Sequence, residues 1–329
     1  MRTNQNQSYM PLDTEDFRAY ILSEYGLSLV GEIKADGFFH YIGTTEDKKG
    51  HKPIRYCVHL DEPSCIYWND LKRGTHETWL PKGRESLTPA EREAQRRKIE
   101  VLKAQREAET LAKHAKRRQW ASKIWESATP ADGSHPYLIR KGVGAYGLRR
   151  LPVWERRIYK EGGGGFEAVT IENVLLVPMK DETGALWNVQ MIYPQKILLG
   201  DEERDRDFIP GARVTGLFHW LGARTETVCV AEGLATAATL YESTGYRCFV
   251  AFSAGNLPNV AQAVRSALPD ARIVVCADHD KPDKNGRQAG ISKANEAAAL
   301  VDGYVAMPPI PGADFNDFAA LLKEVHHGR

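Results

Sequence analysis

The sequence predicts an α/β protein in which residues 226–329 form a parallel sheet with helices on both faces, preceded by an α+β core, a long charged helix and a small β-rich N-terminal domain. Three observations carry this. From Thr227 onward, short apolar runs alternate with longer alanine-rich ones, the rhythm of strand and helix in a parallel sheet. Residues 128–225 hold long period-two stretches, and residues 84–127 are rich in charged helix formers.

At the N-terminal end, a short helix over residues 13–25 is followed by β-type runs FFHYIG, IRYCVHL, SCIYW and HETWL, separated by turns, which sets a first domain at 1–83. Thr88, Pro89, Ala90 and Glu91 then read as a capping box with proline in the first helical position, opening a helix through the connector 84–127. Val101, Ala104, Ala108, Leu111 and Ala115 give it helical spacing, but the stripe is mostly alanine, so the helix is expected to be largely solvated. In the core subdomain, 128–225, NVLLVPMKD and LWNVQMIYP flank Glu182, Thr183 and Gly184 as a β-hairpin, and the glycines at 162–165 read as a flexible loop. His135 reads as a packing or turn residue, and the pair His326 and His327 as disordered.

The final segment supplies TVCVA, RCFVAF, RIVVCA and YVAM as strands and LATAATLYEST, LPNVAQAVRSAL and AGISKANEAAALV as helices. Ligands of such sheets bind beyond the carboxyl ends of the strands. Acids fall there: Glu232 follows TVCVA, Asp278 follows RIVVCA with Asp280 two residues on, and Asp314 and Asp317 follow the last strand. Residues i and i+2 of an extended segment share a face, so Asp278 and Asp280 point to one site and His279 away from it. Carboxylates gathered in this way repel unless a cation sits among them, and Mg²⁺ or Mn²⁺, as two or more ions, suits oxygen ligands and phosphoryl transfer.

Charge is unevenly spread. Residues 84–165 carry 19 Lys and Arg against 10 Asp and Glu, whereas residues 228–329 carry 9 against 11, so a basic middle adjoins an acidic end. Five cysteines (Cys57, Cys65, Cys229, Cys248, Cys276) without a CxxC pair read as reduced and structural. No apolar run reaches the ~20 residues of a membrane span, and the opening residues lack signal-peptide character, so a cytoplasmic protein without membrane contact is expected.

At AEGLATAATL, CADHD and DFND the sequence resembles the Toprim domain shared by topoisomerases and bacterial-type DNA primases. Glu232 matches the family's glutamate, Asp278 and Asp280 its Asp-x-Asp pair, and Asp314 and Asp317 its later acidic element. Upstream, IRYCVHLDEPSCIYWNDLKRGTHETW, SHPYLIRKGV and NVLLVPMKDETGALWNVQMIYPQK resemble primase-like proteins of phages, plasmids and integrative elements. Two positions depart from that pattern. His51, Cys57, His59 and Cys65 lack zinc-ribbon spacing, so a metal-free, degenerate ribbon is expected, and Thr236 stands where bacterial primases tend to have a further acid.

The resemblance implies a nucleotidyltransferase that makes short RNA primers on single-stranded DNA from ribonucleoside triphosphates, in the replication or transfer of a mobile element. Glu232, Asp278 and Asp280 would be catalytic, and with Asp314 and Asp317 would hold the metal. Arg140, Lys141, Lys180 and Lys196 are candidate phosphate contacts, Gln190 a candidate nucleotide contact, and Lys281, Lys284, Arg287 and Lys293 candidates for neutralising the triphosphate. A separate helicase or conjugation machinery is the expected partner, since no GxxxxGK[ST] motif is present. The alternatives left by the residues are a Toprim nuclease using the same carboxylates and a non-catalytic DNA-binding accessory protein.

Overall fold

The structure, a computed structural model, describes residues 12–47, 51–60, 64–81, 89–159, 166–199, 202–282 and 288–327. Thr88, the glycines at 162–165, Lys284 and Arg287 lie outside the described residues. The chain divides into two compact units, Met1–Arg106 and Glu107–Arg329.

In the first unit, α1 (Thr14–Tyr25) starts where the Asp13 carboxylate accepts from Glu15 N, and stops at Gly26, whose φ of 68° suits a residue without Cβ. Strands β1 (Leu29–Val30), β2 (His40–Thr44), β3 (Ile54–His59), β4 (Cys65–Asp70) and β5 (Thr75–Trp79) follow as an antiparallel sheet in chain order. Alternation turns Ile54, Tyr56, Val58, Ile66 and Trp68 inward against Phe17 and Ile21 of α1. Cys57 and His59 share the other face, with Sγ 3.4 Å from Nε2, and Cys65 stands opposite His59.

Helix α2 (Pro89–Ser127) runs for 39 residues. Val101 and Leu111 on its thin stripe are 65% and 64% exposed, as expected of a solvated helix, and Ala121 and Ile124 near its end are buried in a core.

The second unit carries two sheets. Strands β6 (Thr129–Pro130), β7 (Arg149–Tyr159), β8 (Phe166–Lys180), β9 (Leu186–Leu199) and β10 (Glu202–Phe208) form an antiparallel sheet in order β10-β9-β8-β7-β6. The predicted hairpin is β8–β9: in its turn the Asp181 carboxylate accepts from Thr183 N, Thr183 Oγ1, Ala185 N and Trp187 Nε1. Before β7 lies the short α3 (Pro136–Lys141), whose N-cap is His135. Its Nδ1 accepts from Tyr137 N, and its Nε2 lies 2.8 Å from Asn173 O, which confirms a structural histidine.

The other sheet has order β11-β13-β12-β14-β15, built from β11 (His219–Leu221), β12 (Thr227–Ala231), β13 (Arg247–Val250), β14 (Arg272–Cys276) and β15 (Tyr304–Ala306). The last four are mutually parallel, and β11, from upstream of residue 226, covers the free edge of β13 in antiparallel sense. The crossovers are α4 (Leu234–Thr244), α5 (Leu257–Ala267) and α6 (Ala289–Leu300), with α7 (Phe315–His327) after β15. The chain stays helical to His327, so disorder at His326 and His327 is not found.

The pleat assigns the two faces residue by residue. Cys229, Ala231, Cys248, Val250 and Cys276 enter a core with α4 and the antiparallel sheet, through Leu175 and Val177 of β8. Val228, Val230, Phe249, Ile273 and Val275 enter the core beneath α5 and α6. None of the five cysteines is joined in a disulfide among the described residues.

Candidate active site at the carboxyl ends of the parallel strands

Each acidic residue is delivered by a strand end. Glu232 follows β12, and Gly233 then caps α4. The neighbouring strand ends in a tight turn at Phe252, φ 70°, whose N–H donates to Glu232 O, and Ala254 N–H donates to the Glu232 carboxylate. Asp278 follows β14. His279, between the two aspartates, exchanges backbone hydrogen bonds with Gly312 and Ala313, and its Nδ1 lies 2.9 Å from Pro308 O. His279 thus turns away as predicted, and it fastens the aspartate loop to the segment that carries Asp314.

The carboxylates form one electrostatic group. Burial, followed by Glu232, Asp314, Asp280 and Asp317, pushes Asp278 up from 3.8 to about 7, and its Oδ1 is enclosed without a hydrogen-bond partner among the described residues. Burial also raises Glu232, helped by Asp280 and opposed by the Ala254 N–H and by Arg206. Asp280 lies at the start of α6, where a Cβ on Gly290 would stand 2.6 Å from Asp280 Oδ2, so any larger residue there would displace the carboxylate. Asp314 and Asp317 are partly committed to local structure: Asp314 Oδ1 accepts from Asp317 N at 2.8 Å to start α7, and Lys141 Nζ lies 3.5 Å from Asp317 Oδ1.

The predicted basic set is split. Arg140 and Lys141 join the acids: Arg140 donates to Pro194 O at 3.0 Å and lies over the Tyr137 ring, and the buried Tyr137 hydroxyl feels Arg206, Asp205, Asp314 and Arg140 together. Lys281 is exposed and packs on the Gly312 turn next to Asp280. The others go elsewhere. Lys293 pairs with Glu296 on α6 at 2.6 Å, which spends its charge on the helix surface. Gln190 is 3% exposed within the antiparallel sheet, because its place on β9 faces the core, so it does not offer an amide to a nucleotide. Lys196 is exposed on the outer part of β9, and Lys180 packs over the Trp220 ring at 4.8 Å.

Two residues escaped sequence reasoning. Arg206 on β10 is held by Asp205 through 2.9 and 3.4 Å hydrogen bonds and acts on Glu232; its signal was the alternating charge of EERDRDF. Asn316, nearly buried, donates to Lys141 O and Thr239 Oγ1, tying α3 to the acidic end. The nearby Thr236, where an acid was the family alternative, is buried in α4.

The segment that builds this parallel sheet and its acidic mouth, residues 227–322, matches the family model described as a Toprim domain. The chain is similar to DNA primase TraC of Escherichia coli, being 29% identical over 280 residues to one such protein, which covers 83% of this chain and 24% of the relative, and 27% identical over 280 residues to a second, covering 83% and 18%. The chain thus spans about a quarter or less of the length of these curated relatives. A DNA primase domain from Pseudomonas aeruginosa aligns in structure with 15% identity and a TM-score of 0.42, over 64% of this chain and 76% of that one. No helix among the described residues is long and apolar enough to cross a membrane.

The donor set fits a hard divalent cation, because Asp278 is a buried carboxyl with an orphaned oxygen among like charges. Among the described residues no three Asp, Glu, His or Cys side chains are grouped closely enough to hold an ion by themselves.

Proposed function

We propose that this chain carries the catalytic part of a DNA primase, which joins ribonucleotides on a single-stranded DNA template. The similarity to DNA primase TraC carries the reading, since it extends over 280 residues and so includes the core upstream as well as the acidic sheet. Asp278 and Asp280 would hold Mg²⁺ or Mn²⁺, with Glu232 beside them and Asp314 and Asp317 at the rim. Mg²⁺ habitually takes one or two carboxylates and completes its shell with water and substrate phosphate, so an open set of acids suits it. When bound, the ion supplies charge stabilisation to the triphosphate under attack.

The residues of the chain do the rest. Glu232, whose carboxyl keeps its proton to higher pH than an exposed glutamate, is placed to handle a proton at the reacting hydroxyl. Arg140, Arg206 and Lys281 stand where phosphate oxygens would arrive, and charge-assisted hydrogen bonds from guanidinium groups would orient them. A helicase or a conjugation apparatus would be a separate partner, and the protein would work in the cytoplasm.

The test is incubation with single-stranded DNA, labelled ribonucleotides and Mg²⁺ or Mn²⁺, for wild type and for Asp278→Ala/Asp280→Ala. Short labelled products that vanish in the variant are expected. Shortened DNA in place of primers would mean cleavage, and no product of either kind from the wild type would overturn the reading.

A further inference from the structure

The cations that the acidic mouth does not use gather along another edge of the second unit. The α2 segment around Lys113, His114, Lys116, Arg117 and Arg118 has no acid between Glu109 and Glu126. The Arg118 and Arg213 guanidinium groups lie 4.6 and 5.3 Å from the centre of the Trp187 ring. Lys180 Nζ and the Arg247 guanidinium lie 4.8 and 5.4 Å from the centre of the Trp220 ring. The β8–β9 turn joins the two clusters: Trp187 Nε1 donates to Asp181, and a Cβ on Gly184 would stand 3.9 Å from Trp220. Lys113 and Arg117 reach the Gly211 turn beside Arg213, and Arg224 acts on Arg247.

What holds these cations is informative. A carboxylate partner cancels charge, whereas an aromatic ring attracts a cation through its quadrupole and leaves the charge and most N–H donors free. Among the described residues, Arg117, Arg118, Lys180, Arg213 and Arg247 have no salt bridge, and Arg247 Nε is enclosed without a hydrogen-bond partner. Asp181 is occupied within its own turn. The edge is therefore assembled and still strongly positive, and the mutual repulsion is a cost that a polyanion relieves. It runs along edge strand β11 to Arg247, at the start of β13, whereas Glu232 and Asp278 lie at the opposite, carboxyl ends of the parallel strands.

We propose that this edge is a second contact for single-stranded nucleic acid, separate from the acidic mouth, in which Arg117, Arg118, Arg213, Lys180 and Arg247 take phosphates while the tryptophan and guanidinium planes take bases. The proposal rests on the primase reading, which supplies the strand. Unpaired bases expose the faces that stack on such planes, and a duplex hides them.

The test is fluorescence anisotropy of a labelled oligothymidylate over a range of salt, for wild type, Arg118→Gln/Arg213→Gln/Arg247→Gln and Lys116→Glu, with a duplex as competitor. Each lost phosphate contact lowers the slope of log affinity against log salt by about 0.7 and weakens binding about fivefold at 0.1 M salt, so the triple variant is expected to lose about two units of slope. The Arg→Lys triple variant keeps the charge and is expected to keep the slope. Lys116 is exposed, so Lys116→Glu reports on charge without disturbing the core. Primer synthesis at saturating template should keep its kcat while the KM for template rises. An unchanged slope in both the Gln variant and Lys116→Glu, or tighter binding of duplex than of single strand, overturns the proposal. A wild type that makes no primers but loses slope in the variants leaves the edge standing and removes the primase reading.

Discussion

The second unit keeps two clusters of like charge, and it stabilises them in different ways. At the acidic mouth, Asp278 is enclosed with Glu232, Asp280, Asp314 and Asp317 around it, and the repulsion is relieved by holding a proton to about pH 7. At the basic edge, Lys180 and Arg247 rest on Trp220, and Arg118 and Arg213 on Trp187, so repulsion is offset without loss of charge. A carboxylate can neutralise itself near neutral pH, whereas an arginine cannot, and aromatic support is the remaining solution for clustered guanidinium groups. On the functions proposed above, the mouth would exchange a proton for a metal ion, and the edge would meet a polyanion.

The largest expected effect breaks the comparison at the mouth. Asp278→Asn should lower primer synthesis by about 100-fold or more, the scale on which losing one electrostatic contact to a transition state is felt. The same variant should leave the salt slope of DNA binding unchanged, which anisotropy would check.

The pH dependence of stability sharpens the contrast. Asp278 has a folded value of about 7 against an ordinary 3.8, so the folded state binds more protons between these values. Its contribution is fully present below about pH 4 and is lost as pH rises through 7, by about 2–4 kcal/mol. His219 on β11, beside Lys180, behaves oppositely: burial lowers it from 6.5 to about 4, so its contribution is present above 6.5 and is lost as pH falls towards 4. Thermal melts in a chelator at pH 8 should therefore show Asp278→Asn more stable than wild type, and at pH 5 His219→Gln should lose less stability on acidification. Adding Mg²⁺ or Mn²⁺ should raise the melting temperature of wild type at pH 8 and not that of Asp278→Asn.

Smaller effects probe the supports. Asn316→Ala removes two hydrogen bonds in a buried setting, which Asn316 Nδ2 donates to Lys141 O and Thr239 Oγ1, and should cost about 1–3 kcal/mol in denaturant melts. Gly290→Ala places a methyl group 2.6 Å from Asp280 Oδ2, so metal affinity by calorimetry should fall with little change in stability, because the side chain can swing away. Leu111→Lys, on the solvated stripe of α2, should stay within about 0.5 kcal/mol of wild type.

Much of the fold was legible because strand and helix periods are local properties. The runs TVCVA, RCFVAF, RIVVCA and YVAM became β12, β13, β14 and β15, and Asp13 and Glu182 to Gly184 marked a helix start and a hairpin turn where these occur. The strand-end rule located Glu232 and Asp278, because a residue directly after a parallel strand has little choice of where to lie. Less legible was the edge strand β11, a run of three residues too short to show alternation.

By itself the sequence determined the alternation of the last hundred residues, the placing of acids at strand ends and the excess of cations upstream, all of which depend on neighbours a few positions away. Only the tertiary structure decided what each charge does. It sent Lys141 to Asp317, Lys293 to Glu296 and Lys180 to Trp220, enclosed Gln190, and brought Arg206 to Glu232. The physical reason is range: Asn316 meets Lys141 across 175 positions and Arg118 meets Leu186 across 68, and no periodicity along the chain records a partner so far away.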